Sequence, residues 1–221
     1  QAMRLDPSFT PPSPLWALLG AGGDALAPMG IDLQAQGPAA VIAGPPRSGR
    51  SSCLLTAARS LLAQGTPVLV VTPRRSPLRG LAGEPGVLAV LDGSAQPVTA
   101  DGHGCSGPVD ALAVVAGREP YAVLVDDAEL ISPDSPLGLA LEEILRTGRD
   151  GGHGMLIAGS TADLSAGYRG FAAEARKNRT GLLLGVQGPA DGDLFAIRLP
   201  RTGAGGPPGR GWLVSAGIAV P

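Results

Sequence analysis

A chain of 221 residues with 44% hydrophobic and 16% charged residues is long enough for one large domain with a sizeable core. Its net charge of −2 argues against a strong electrostatic footprint for nucleic acid or an anionic membrane, though a local patch or an assembled ring could still contact DNA. No apolar run reaches bilayer length and the first residues show no basic-then-apolar secretory pattern, so the expectation is a cytoplasmic domain, free or the soluble part of an anchored protein, with no membrane contact of its own.

In chain order, residues 1–27 are rich in proline and glycine and read as a leader or linker whose Leu15, Trp16, Leu18 and Leu19 dock on a body spanning 28–221. "GIDLQAQGPAAVIAG" predicts a hairpin, with "IDL" and "AAVIAG" as strands around Gln36-Gly37. "RSSCLLTAARSLLAQG" predicts a helix with Leu54, Leu55, Ala58, Leu61 and Leu62 on one face and Gly65 as its end. "TPVLVV" and "GVLAVLD" are short apolar strands, followed by a long aperiodic loop through "GSAQPVTADGHGCSGP".

"VDALAVVAG" predicts a helix and "YAVLVDD" a buried strand. "SPLGLALEEILRTG" is a helix capped by Ser135 or Asp134 and stopped by Gly148. "GMLIAGS" is a strand, "AGYRGFAAEARKN" a helix, and "TGLLLGV", "LFAIRL" and "GWLVSAG" are strands. Apolar strands alternating with amphipathic helices indicate an α/β fold, a mostly parallel sheet with helices on both faces. Cys53 and Cys105 are too few for a disulfide framework, and with His103 and His153 they lack zinc-site spacing; Cys53 reads as a small apolar residue on its helix.

"AGPPRSGRSS" lies between a predicted strand and a predicted helix, the context that a phosphate-binding loop requires. Gly44, Pro45, Pro46, Arg47, Ser48, Gly49, Arg50, Ser51 and Ser52 make up the candidate nucleotide-binding stretch. Gly44 and Gly49 allow the backbone to curl around an anion, Ser51 offers a hydroxyl to Mg²⁺, and Ser52 reaches toward the α-phosphate. Arg50 stands where the motif has lysine, and its planar fork does not substitute simply for a compact ammonium. Lys177 is the only lysine in the chain, so a general preference for arginine is one explanation.

"YAVLVDDAEL" supplies the second half of the site. Asp126 ends a buried strand and is the expected Mg²⁺ carboxylate. Asp127 takes the place where many ATPases carry a water-polarising glutamate, and is one methylene shorter; Glu129 is the substitute catalytic candidate. Ser160 or Thr161, after the next strand, is a candidate γ-phosphate sensor, or else caps the following helix.

"ALAPMGIDL", "GPPRSGRSS", "VLVDDAEL" and "PPGRGWLV" together resemble the FtsK/SpoIIIE P-loop translocases of the RecA-like class. The likeness runs from about Leu18 to the end, and is strongest to degenerate C-terminal ATPase modules of multidomain actinobacterial members such as EccC-type type VII secretion ATPases. It implies a RecA-like P-loop NTPase core with a C-terminal antiparallel extension, binding ATP and Mg²⁺ at an interface with neighbouring modules or in a homo-oligomer. Arg169, Arg176, Arg179 and Arg210 are then candidates for an arginine acting across that interface. DNA or a secreted protein is the implied cargo. With both Arg50 and Asp127 off-pattern, a nucleotide-binding module with weak or absent hydrolysis is expected. The alternatives are an active hexameric DNA translocase, and a non-catalytic interaction module with a vacant nucleotide pocket.

Overall fold

The computed structural model describes residues 9–99, 107–200, 206–215 and 217–220. His103, Cys105 and the middle of the long loop before the second helix lie outside the described residues. β1 (Trp16–Gly22) and β2 (Ala27–Asp32) form a separate antiparallel hairpin. This corrects the expected pairing across Gln36-Gly37: "IDL" pairs back onto β1, and β3 (Ala39–Ala43) enters the main sheet instead. The reason is burial. Ala39 to Ala43 are all buried, which suits a central strand covered on both faces, not one arm of a surface hairpin.

The main sheet also contains β4 (Val68–Val71), β5 (Val87–Leu91), β6 (Ala122–Val125), β7 (Gly154–Gly159), β8 (Gly181–Leu184), β9 (Gly211–Ser215) and β10 (Ile218–Val220). Its order is β10-β9-β8-β3-β7-β6-β4-β5. The strands from β8 to β5 run parallel, and β9 and β10 add the antiparallel extension. Expected strand "LFAIRL" does not form: Pro189–Phe195 is a 3-10 helix, with Pro189 at its start and Ala196 in the left-handed region at its end. The burial of Leu194 and Phe195 that suggested a strand serves this turn just as well.

One face of the sheet is covered by α1 (Arg50–Ala63) and the β1–β2 hairpin, with Leu15, Leu18 and Leu19 buried there. α2 (Ala111–Val115), α3 (Pro136–Gly151) and α5 (Gly170–Arg176) cover the other. α3 begins as expected, with Ser135 Oγ accepting from the Gly138 amide at 3.0 Å. It runs past Gly148 and ends at Gly152, whose φ of 65° supplies the left-handed cap. Gly148 lies inside the helix instead of stopping it, and a Cβ there would press on Pro38 and the His153 carbonyl, so its lack of a side chain serves packing. The predicted helix over "AGYRGFAAEARKN" is shorter than expected, since only α5 forms within it, and a separate helix, α4 (Thr161–Ala166), precedes it and stops at Gly167.

Candidate functional site

The C-terminal ends of β3, β7 and β6 lie side by side, and each contributes to one cluster. β3 runs through Gly44 into a tight turn held by Ser48 N–H donating to the Pro45 carbonyl at 3.2 Å. Arg47 and Gly49 take positive φ of 66° and 105°. Gly49 caps α1 without a side-chain acceptor, so the first amides of the helix are left to an incoming group. The N–H groups of Arg47, Gly49, Arg50, Ser51 and Ser52 donate to no acceptor among the described residues. Ser48 is only 6% exposed, and its Oγ is buried against Gly44 without a partner among the described residues. A Cβ on Gly44 would sit 2.6 Å from both that Oγ and the Leu184 carbonyl oxygen, so only glycine fits.

Arg50 does not extend away from the protein. Its Nη1 donates to the Gly44 carbonyl at 3.2 Å, and its Nη2 donates to Asp127 Oδ1 at 3.2 Å. Glu129 Oε1 stands 3.8 Å from Nη1. All three side chains are largely buried, at 13%, 16% and 14% exposure, so the pairing is shielded from water more than a surface ion pair. Asp127 sits in the left-handed region with φ of 47°, the geometry that turns the chain sharply after β6 and aims its carboxylate back at α1. The following 3-10 turn, Ala128–Leu130, brings Glu129 into the same space, where its Oε1 accepts from the Ser160 amide at 3.2 Å and its Oε2 is buried without a partner among the described residues.

Asp126 is 1% exposed. It accepts from Ser76 Oγ at 2.7 Å and from the Asp127 amide at 3.2 Å. Ser76 was not singled out in the sequence, although a serine after the neighbouring strand β4 is a signal that could have been used. Ser51, partly buried at the start of α1, keeps its hydroxyl free of protein partners among the described residues. Ser160 caps α4, its Oγ accepting from the Asp163 amide at 3.5 Å, and Thr161 is the first residue of that helix. The loop before β9 closes over the phosphate loop: Gly209 N–H donates to the Ser48 carbonyl at 2.8 Å. Beside it a cavity of about 270 Å³ opens among Leu19, Ser52, Thr56, Leu184, Pro208 and Gly209.

The four arginine candidates do not converge. Arg169 is held by both oxygens of Asp134 at 2.7 Å, which raises its pKa further. Arg176 donates to the carbonyls of Ser165 and Gly167 and closes the α4–α5 turn. Arg179 is exposed just before β8, at the opposite end of the parallel strands from the phosphate loop. Arg210 is exposed next to Gly209 and lies nearest that loop. Away from the site, His153 stacks on Tyr121 with ring centroids 4.4 Å apart, and its Nε2 lies 2.8 Å from the Ile144 carbonyl oxygen. Cys53 is buried on α1, and burial pushes its thiol up to about 12.

No protein-family model matches the chain, and no curated protein matches its sequence. Among solved structures it is similar to ATPases 2 and 3 of EssC from Geobacillus thermodenitrificans, with a TM-score of 0.70 at 18% identity over 93% of this chain and 40% of that one. It is also similar to the cytoplasmic domain of the Thermomonospora curvata type VII secretion ATPase EccC, with a TM-score of 0.63 at 18% identity over 93% of this chain and 26% of that one. EccC ATPases 2 and 3 from the same organism, in complex with a signal sequence peptide, align with a TM-score of 0.65 at 19% identity over 93% and 40%. The chain thus spans less than half the length of these proteins. It has the α/β, RecA-like P-loop fold of their ATPase domains.

Proposed function

We propose that this chain is a Mg²⁺-nucleotide-binding module, with weak or absent hydrolysis, of a larger FtsK/SpoIIIE-type motor. The observation that carries the reading is an amide cradle at the start of α1, unclaimed among the described residues, combined with an arginine paired to the second acid. The residues fit a bound nucleotide. The free amides between Arg47 and Ser52 suit phosphate oxygens, and the 270 Å³ cavity beside Ser52 suits a nucleoside. Ser51 and Asp126 would hold Mg²⁺, which neutralises phosphate charge when bound.

Hydrolysis needs a carboxylate free to orient water and a cation free to follow the charge that develops on the phosphate. Here Arg50 and Asp127 satisfy one another, and Glu129 is tied to the Ser160 amide. Ser160 also spends its hydroxyl on capping α4, which leaves Thr161 the freer sensor candidate. Arg210 is the arginine best placed to serve a shared site, because the loop carrying it touches the phosphate loop.

Tandem modules and a peptide-bound structure among the similar proteins support neighbouring ATPase modules or a secreted protein as partners. The net charge of −2 favours protein over DNA as cargo. An interaction module is the second reading. A cavity of about 370 Å³, bounded by Ala95, Val109, Ala111, Leu137 and Ala140 among the described residues, gives it an apolar lining. Equilibrium binding of Mg-ATP beside single-turnover phosphate release tests the main reading. We expect binding with release far slower than in an active motor; fast release would refute the weak-hydrolysis claim, and no binding would leave the interaction module.

A further inference from the structure

The geometry points to a site that takes a nucleoside diphosphate in preference to a nucleoside triphosphate, an inference that rests on the nucleotide reading above. Backbone amides of a phosphate loop hold the inner phosphates, whereas the terminal phosphate lies farther out, toward the carboxylate that positions water. In this chain the inner part of the cradle is open. Among the described residues, the amides of Arg47, Gly49, Arg50, Ser51 and Ser52 are unclaimed, and the Ser48 hydroxyl is buried without a partner within the same loop.

The outer part is filled. The Arg50 guanidinium bridges the Gly44 carbonyl after β3 to Asp127 and Glu129 after β6, and Glu129 is itself held by the Ser160 amide after β7. A third phosphate entering between these strand ends displaces the guanidinium from two carboxylates. With Asp126 given to Mg²⁺, that phosphate then faces Asp127 and Glu129 with one further cation, Arg50, to balance them. Like-charge juxtaposition of this kind is what rejects the wrong ligand at charged sites. A diphosphate ends short of the cluster and leaves the Arg50 contacts intact.

The test is displacement of a fluorescently labelled ADP from the full chain, in Mg²⁺, by ADP and by a triphosphate with a non-hydrolysable β,γ-imido link. The expected result is that the triphosphate competes about tenfold more weakly or worse. In an Asp127→Asn, Glu129→Gln double variant the gap should close, because the freed guanidinium then meets a terminal phosphate with two fewer carboxylates beside it. Equal or tighter triphosphate binding to the native chain overturns the inference, as does a gap unchanged in a double variant with native circular dichroism. If that variant does not fold, the native comparison decides alone. Failure of labelled ADP to bind at all is a different result, and overturns the nucleotide reading itself.

Discussion

Replacing Arg50 by alanine removes the cation that joins the phosphate loop to the acids after β6. Breaking a fully buried pair costs about 3–5 kcal/mol, while exposed pairs are worth about 0–1 kcal/mol. With Arg50, Asp127 and Glu129 at 13%, 16% and 14% exposure, and contacts of 3.2 and 3.8 Å, the site lies between these limits. The variant also leaves the Gly44 carbonyl without its donor. We predict a loss of about 2 kcal/mol, which for a chain of this length lowers Tm by about 4–8 °C. Urea unfolding of Arg50→Ala, Asp127→Ala and the double variant forms a cycle, and the coupling should be about 1 kcal/mol or more. A single-variant loss under about 0.5 kcal/mol, or strict additivity, would show that the bridge carries no weight and would undo the reasoning built on it.

Gly138→Ala should destabilise by about 1–3 kcal/mol despite alanine's better helix propensity, because its Cβ would overlap the Ser132 carbonyl oxygen; a stabilised variant by thermal melt would contradict this. Ser76→Ala strands a buried oxygen of Asp126, and the urea midpoint should fall by an amount equivalent to about 1–3 kcal/mol. Burial pushes Cys53 up to about 12 from 9.0, and burial followed by Glu119 pushes Tyr121 up to about 12 from 10.0. Both folded values lie above the unfolded ones, so their contribution is complete below pH 9 and is lost as pH rises toward 12. Urea midpoints measured upward from pH 8 should therefore decline, with a shallower slope in Cys53→Ala; a flat profile would contradict the burial of both groups.

The parallel sheet was readable because its strands are fully buried apolar runs, and the phosphate loop because strand, glycine turn and helix follow in order. β1 was not, since prolines and glycines mask a strand whose partner lies only a short turn away, and "IDL", which overlaps β2, was expected to pair with β3 instead. "LFAIRL" misled because burying Leu194 and Phe195 requires no particular backbone. At the site, the suspicion attached to Arg50 and Asp127 was visible residue by residue, but their direct contact joins positions 77 apart. Glu129's inward position follows from the left-handed φ of Asp127, a backbone feature no side-chain pattern announces. Ser76 escaped for the same reason: its bond to Asp126 spans 50 residues and exists only because β4 and β6 are neighbours.

If the cradle at the start of α1 binds a nucleotide with arginine in the lysine position, binding must be seen directly. Calorimetric titration of the chain with Mg-ADP tests it most directly. Saturable one-to-one binding is expected, weakening when Ser51, which would hold Mg²⁺, is replaced by alanine. A titration with no heat of binding across a range of temperatures would contradict it, and would leave this fold as a scaffold for protein contacts.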